Sequence, residues 1–403
     1  MLGAAGLVGM VTLASRAGAG PLDPPKGPVG PTGRTTDELF ERTAQAERYG
    51  RPSVPIGPDT TPGTETALRL ISEPGHYHLT ANLIVPPEDF TAISVAAVGV
   101  TIDLNGFAII GEPGASQTGV RGGEVGTVVC NGTISRFDEV GVNFTLTESG
   151  RVERVLVDRC GIGLWASNSC RVVECSFHRC AGIGLTVDAG SLVSGCTFNR
   201  CGVGAELSQS IMERCTMLSP RSGAALFATN MSVVRGCTLD ATYPGNGADV
   251  TPFVVSNTSR VEDCVLLANC RVRVLQVSGA SVVTRSTIRN LTPDTGGGIT
   301  QIEMNDRAVV EECLIRRADT GGGITVLVGS ACVFRNNIVC GAGLVTATGL
   351  GSPRGAVMGN TAFTSTNFVG SFDTGLIQSP VHQAANSPAM PEGFSAYGNV
   401  LGS

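Results

Sequence analysis

The chain has 403 residues, of which 54 are Gly, 15% are charged and 5% aromatic, and its formal net charge is −6. So few aromatics exclude a globular core built on large rings, and the acidic balance excludes nucleic acid, which would need a basic stripe. No stretch reaches the eighteen or so consecutive apolar residues of a membrane-spanning helix, so no membrane span is expected.

Residues 1–19 have the apolar run and small-residue end of a secretory signal, without its basic start. They predict export, to the periplasm, the medium or the cell surface. Residues 20–34 are rich in Pro and Gly but lack a strict three-residue Gly period, so they read as an extended arm and not collagen. Thr35-Thr36-Asp37-Glu38 is a capping box opening a short helix to about Arg48, suited to covering the open end of a repeat array. The arm and capping helix together occupy 20–66, with 49–66 irregular.

From Ala67 the pattern changes to strands. Leu68–Ile71 and Tyr77–Leu79 flank the turn signal Glu73-Pro74-Gly75, and Val100–Ile109 alternates and bends at Asn105-Gly106. Val129–Ile134 and Val152–Val157 follow. Then one unit recurs: an apolar residue, two polar or small ones, a Cys or Asn, one residue, and another apolar one. Its central slot holds Cys175, Cys196, Cys215, Cys237, Cys264, Ser286, Cys313, Asn337 and Asn360, in steps of 19 to 27 residues. The duplicate Asp294–Thr300 and Asp319–Thr325 repeats the step independently. Such a period predicts a solenoid of about eleven or twelve coils over residues 67–366. At about 4.8 Å per coil its axis would run roughly 50–60 Å. Residues 367–403, rich in Ser, Asn and Pro, are expected to form a C-terminal tail over the last coil.

Fourteen cysteines in an exported chain would ordinarily suggest disulfides. Here nine of them fall in two repeat slots, the second held by Cys160, Cys180 and Cys201. Side chains stacked in register point the same way and bridge poorly. They read as small apolar filler, and with no Cys-x-x-Cys and no Cys/His pairing no zinc site is expected. His76 and His78 share a strand face, but two ligands without a third do not make a metal site, so no metal or other cofactor is predicted.

Ile71–Thr80, Val100–Gly111 and the repeats followed by Gly-Ile-Gly or Gly-Val-Gly resemble the right-handed parallel β-helix family with the pectin-lyase-like fold, over about residues 67–365. The resemblance implies an all-β, single-stranded helix whose coils each feed three parallel sheets, with Asn or small residues stacked at an inner corner. The chain departs from it by carrying Cys160, Cys180 and Cys201 where that ladder is expected, with Asn290 in the same corner further on. Hydrolases of the fold carry clustered Asp motifs, none of which is present. Lyases of the fold use Arg or Lys as base beside an acidic calcium site, and no motif here identifies one.

The best local candidate is an arginine in three successive coils: Asp158-Arg159-Cys160, His178-Arg179-Cys180 and Asn199-Arg200-Cys201. Stacked guanidinium groups repel unless an anion or acidic neighbours compensate, and Arg forks onto carboxylates. Arg159, Arg179 and Arg200, with Asp158 and His178, are therefore the candidate ligand-binding residues. The competing reading is a solvated turn paired with Glu153, Glu174 or Asp158. Glu153-Arg154, Glu213-Arg214, Glu262-Asp263 and Glu311-Glu312 read as a charged outer face. The expected function is a non-catalytic glycan-binding or cell-surface structural protein with an anionic polysaccharide as partner. The alternative is a carbohydrate-active enzyme, a polysaccharide lyase or glycoside hydrolase.

Overall fold

A computed structural model describes residues 53–87, 91–112, 114, 117–221, 224–242, 251–270, 273–291, 299–317, 324–329, 331–340, 356–358, 360–363 and 377–378. The signal-like segment, the arm, the capping helix and nearly all of the tail lie outside these residues. Every pairing is parallel, and the strands form a 12-stranded and a 26-stranded sheet. The larger sheet is two ladders joined through two long strands, Val128–Ser135 and Arg151–Asp158. Each coil thus contributes a strand to a first, a second and a third ladder in turn. The third ladder runs from Ala67–Ile71 to Ile324–Val328, about eleven turns from end to end. This is an all-β parallel solenoid, and no helix occurs among the described residues.

The predicted strands are present. The Val100–Ile109 stretch divides into Val100–Asp103 and Ala108–Ile110, bending at Asn105 and Gly106 with φ of 52° and 80°. The Ile-Thr ends of the duplicate lie in register, Ile299 against Ile324 and Thr300 against Thr325, and its Asp-Thr-Gly parts lie outside the described residues. Two short strands extend the ladders past the expected limits. Val54–Pro55 pairs with Tyr77–His78, inside a segment read as irregular, and Ile377–Gln378 pairs with Val357–Met358.

Alternation inside each strand sends one residue of every pair inward. Val152, Val172, Val193, Met212, Val234, Val261 and Val283 stack beneath the first ladder, all fully buried. Val157, Phe177, Phe198, Met217 and Leu239 do so beneath the second, with the Phe177 and Phe198 rings stacked 5.1 Å apart. Each such side chain contributes about 1.5–3 kcal/mol on burial, so a chain poor in aromatics still builds a continuous core, one layer per coil.

Corners need a reversal that a strand cannot make. Between the first and second ladders one residue per coil takes a left-handed conformation, among them Arg154 (φ 50°), Glu174 (53°), Arg214 (52°), Arg285 (47°) and Asn336 (54°). The next residue, in the repeat slot, then points inward. The slot cysteines do more than fill space there. The backbone N–H of Cys196 donates to Cys215 Sγ, that of Cys215 to Cys237 Sγ and that of Cys237 to Cys264 Sγ, each at 3.4 Å. Ser286 Oγ takes the N–H of Cys264 at 3.2 Å, and Asn337 and Asn360 Oδ1 take those of Cys313 and Asn337 at 2.9 Å. The thiols donate in turn, Cys175 Sγ to Val173 O at 3.4 Å and Cys264 Sγ to Glu262 O at 3.2 Å. Cysteine therefore stands in for asparagine in one hydrogen-bonded ladder, and apolar filling is only part of its role. The corner between the third and first ladders has a matching serine ladder. Cys170, Ser210, Ser232 and Ser259 donate their N–H groups to the hydroxyls of Ser191, Ser232, Ser259 and Ser281 at 3.0–3.3 Å. Asn290, expected at the inner corner, is fully buried, pairs in register with Ala268 and donates Nδ2 to Cys270 O at 3.1 Å.

All fourteen cysteines are free thiols, thirteen of them buried. Burial pushes Cys160 and Cys170 up to about 12 and Cys313 to about 11, from an ordinary 9.0. These folded-state values lie above the unfolded one, so the stabilisation is complete below pH 9. It is lost as the unfolded chain ionises and the folded one does not, between about pH 9 and 12. Each such thiol should cost about 1.4 kcal/mol per pH unit in that window. Urea midpoints at pH 8 and 10.5 are expected to fall accordingly, and less steeply in a Cys170→Ser variant.

The Gly-x-Gly motif after the second cysteine slot has a steric cause. Gly141, Gly163, Gly184 and Gly204 follow one another up the stack, and a Cβ on Gly184 would lie 2.6 Å from Gly204 O, 3.0 Å from the Phe198 ring and 3.1 Å from Cys201 Sγ. Backbone cannot yield there as a flexible side chain would. Gly184→Ala is expected to lose about 1–3 kcal/mol in urea unfolding.

Candidate functional site

The turn leaving the second ladder gathers the arginines. Arg136, Arg159, Arg179 and Arg200 all have left-handed backbones, with φ of 63°, 55°, 53° and 56°. Each is pinned to the following coil. Their N–H groups donate to Asp158, His178, Asn199 and Leu218 carbonyls at 3.0, 2.9, 2.9 and 3.1 Å. The next residue, Phe137, Cys160, Cys180 or Cys201, turns inward and is buried, so the arginine before it turns outward and is exposed. Beside them runs an in-register row of Ser135, Asp158, His178, Asn199 and Leu218.

The structure thus brings the five predicted residues together along one corner. His178, Arg179, Asn199, Arg200, Leu218 and Ser219 line an open cleft of about 290 Å³. Asp158 and Arg159 lie one coil away and pair at 3.7 Å. Arg136 extends the column at the other end. It escaped the sequence reading because Phe137, not Cys, follows it; the register of Gly141 with Gly163 identifies it. Successive arginines are about 4.8 Å apart at the backbone, where two like charges in water cost at most about 1 kcal/mol.

The other charged corner is compensated. Arg214 and Arg235 both reach Glu213, at 2.7 and 2.6 Å, and hold its carboxyl below the usual range, Arg235 foremost. Arg285 meets Asp263 at 2.8 Å and lowers it likewise. Arg260 pairs with Glu262 at 2.9 Å, Arg335 with Glu311 at 2.5 Å, and Arg151 and Arg154 with Glu153. The expected charged outer face is therefore a ladder of ion pairs. Arg136, Arg179 and Arg200 have no such acidic partner among the described residues.

A second outward row was not anticipated. Arg121, Asn143, Trp165, Thr186, Glu206 and Phe227 share one register position on the third ladder. Its signal was present in the sequence: the first five follow the second glycine of the motif, or its equivalent, by two residues.

Among the described residues no group of three or more His, Cys, Asp or Glu is placed to hold a metal ion, and His78 instead shares a 2.7 Å hydrogen bond with Ser53. No described helix is long and apolar enough to cross a membrane. A family model described as the right handed beta helix region matches residues 91–210. No curated protein and no solved structure matches the chain at a significant level. With the parallel solenoid geometry, the family match makes this chain a right-handed parallel β-helix repeat protein.

Left-handed backbone costs an L-residue with a Cβ about 1–2 kcal/mol, a cost that glycine escapes while gaining freedom when unfolded. Arg179→Gly is therefore expected to unfold within about 1 kcal/mol of the parent in urea. A larger loss would give Arg179 a structural role.

Proposed function

We propose that the chain is a non-catalytic binding solenoid, exported and held in the periplasm, in the medium or at the cell surface, whose arginine corner takes an anionic polysaccharide. The contrast between the two charged corners carries this reading. One corner neutralises its arginines with Glu213, Asp263 and Glu311, whereas along the other Arg136, Arg179 and Arg200 meet no acidic side chain among the described residues, and Arg179 and Arg200 line a cleft. A linear polyanion along the solenoid axis would supply the missing charge, one group per coil or every second coil, through charge-assisted forks. Burial of thirteen thiols is compatible with export, because an inaccessible thiol does not exchange.

The cleft's lining residues include no carboxylate to hold a calcium ion or to act as a general acid, which supports binding over lyase or hydrolase chemistry. The test is retention on immobilised polygalacturonate and on a sulfated glycan across a salt gradient. The parent is expected to bind and to elute with salt, and the Arg159/Arg179/Arg200→Ala triple variant to bind at least about tenfold more weakly, a change of about 1.4 kcal/mol. Equal retention would remove the arginine corner. Unsaturated-product absorbance or new reducing ends in the same samples would replace the non-catalytic reading with the enzymatic one.

A further inference from the structure

The outward row of the third ladder has a chemistry of its own. Trp165 is the chain's single tryptophan and is 42% exposed. On one side Asn143 spends its Oδ1 on Thr145, at 3.1 Å to N and 2.8 Å to Oγ1, which leaves its NH2 group to donate outward. On the other side Thr186 has a buried Oγ1 with no hydrogen-bond partner. One coil further, Glu206 is half-buried between Thr186 and Phe227.

Glu206 is the exception among the half-buried glutamates that face outward among the described residues. Glu213, Glu262 and Glu311 each hold an arginine, and Glu303, further along the same row, pairs with Arg273 at 2.8 Å. Glu206 has neither ion pair nor hydrogen bond among the described residues, and burial alone raises its carboxyl above the ordinary value. A partly dried carboxylate without a counter-ion costs stability that an incoming cation would return.

We propose that this row is a second binding face, separate from the arginine corner, for a saccharide chain bearing free amino groups. One sugar ring lies on the exposed part of Trp165 and offers a hydroxyl to the Asn143 amide. The ammonium group of a neighbouring sugar sits on Glu206, with the Phe227 ring beside it. Two coils separate Trp165 from Glu206, about 9–10 Å, so ring and ammonium belong to different sugars of one chain running along the axis. Both parts are needed: the aromatic ring selects a flat, hydroxyl-edged unit, and the carboxylate selects its charge.

The single tryptophan gives a direct readout. Titration of the full chain with a glucosamine hexamer is expected to change Trp165 fluorescence saturably. The N-acetylated hexamer, and the Glu206→Gln variant with the free amine, should each bind about tenfold more weakly, as loss of a charge-assisted contact predicts. Circular dichroism of Glu206→Gln checks that the coil is intact. The Arg159/Arg179/Arg200→Ala variant should bind the hexamer like the parent, whatever it does with polyanions. No saturable change in the parent overturns the proposal. Equal affinity for the acetylated hexamer, or an unweakened Glu206→Gln, overturns it as well. Loss of the signal in the arginine variant would transfer it to the arginine corner and overturn the claim of a separate face.

Discussion

The fold depends on satisfying backbone amides at corners where the strand ladder is interrupted. A left-handed residue reverses the chain, and the small polar side chain after it accepts the amide of the preceding coil. A buried amide left unpaired would cost about 1–3 kcal/mol, and the corner recurs in every coil. Cys215, Cys237, Ser286 and Asn337 solve the same problem with different atoms, Sγ at 3.4 Å, Oγ at 3.2 Å and Oδ1 at 2.9 Å. The serine ladder repeats the solution at another corner. Thiol, hydroxyl and amide interchange at this slot because all accept a hydrogen bond, and all are small enough to stack.

That constraint sorts the surface. Once the slot residue must face inward, the residue before it must face outward with its backbone pinned. Corners therefore become columns of regularly spaced side chains, about one coil apart. At one corner the column is an ion-pair ladder of Glu213, Arg235, Asp263 and Arg285, which keeps the surface soluble and contributes little stability per exposed pair. At another it is the column of Arg136, Arg159, Arg179 and Arg200, in which Arg159 alone meets an acidic side chain, Asp158, among the described residues. A solenoid of this kind presents repeated chemistry along a line, the geometry that the proposed linear, repetitive ligands would match.

Much of the fold was legible because a repeat declares itself. Slot spacing located the coils, and Gly-x-Gly marked the column where Gly163 and Gly184 approach the next coil's carbonyls. The thiols were legible as inner residues but not as hydrogen-bonding ones, because spacing says where a side chain sits and not which amide it meets. Arg159, Arg179 and Arg200 stood out by following one another before Cys. Arg136 did not, since Phe137 broke the motif, and the Trp165 row was overlooked because its members share a position and no residue type.

The sequence by itself determined the period, the inward columns of Val, Phe, Cys and Gly, and the candidacy of one arginine column. Those follow from local alternation and from chain length per coil. Only the tertiary structure decided which charges are paired, because Glu213 meets Arg235 across 22 residues, Arg285 meets Asp263 across 22, and Arg200 meets no carboxylate at all among the described residues. It likewise decided that Trp165 and Glu206, 41 residues apart in the chain, stand two coils apart on one face. Stacking turns a separation of one period into adjacency, and that conversion depends on coil register, which small differences in turn length reset at every corner.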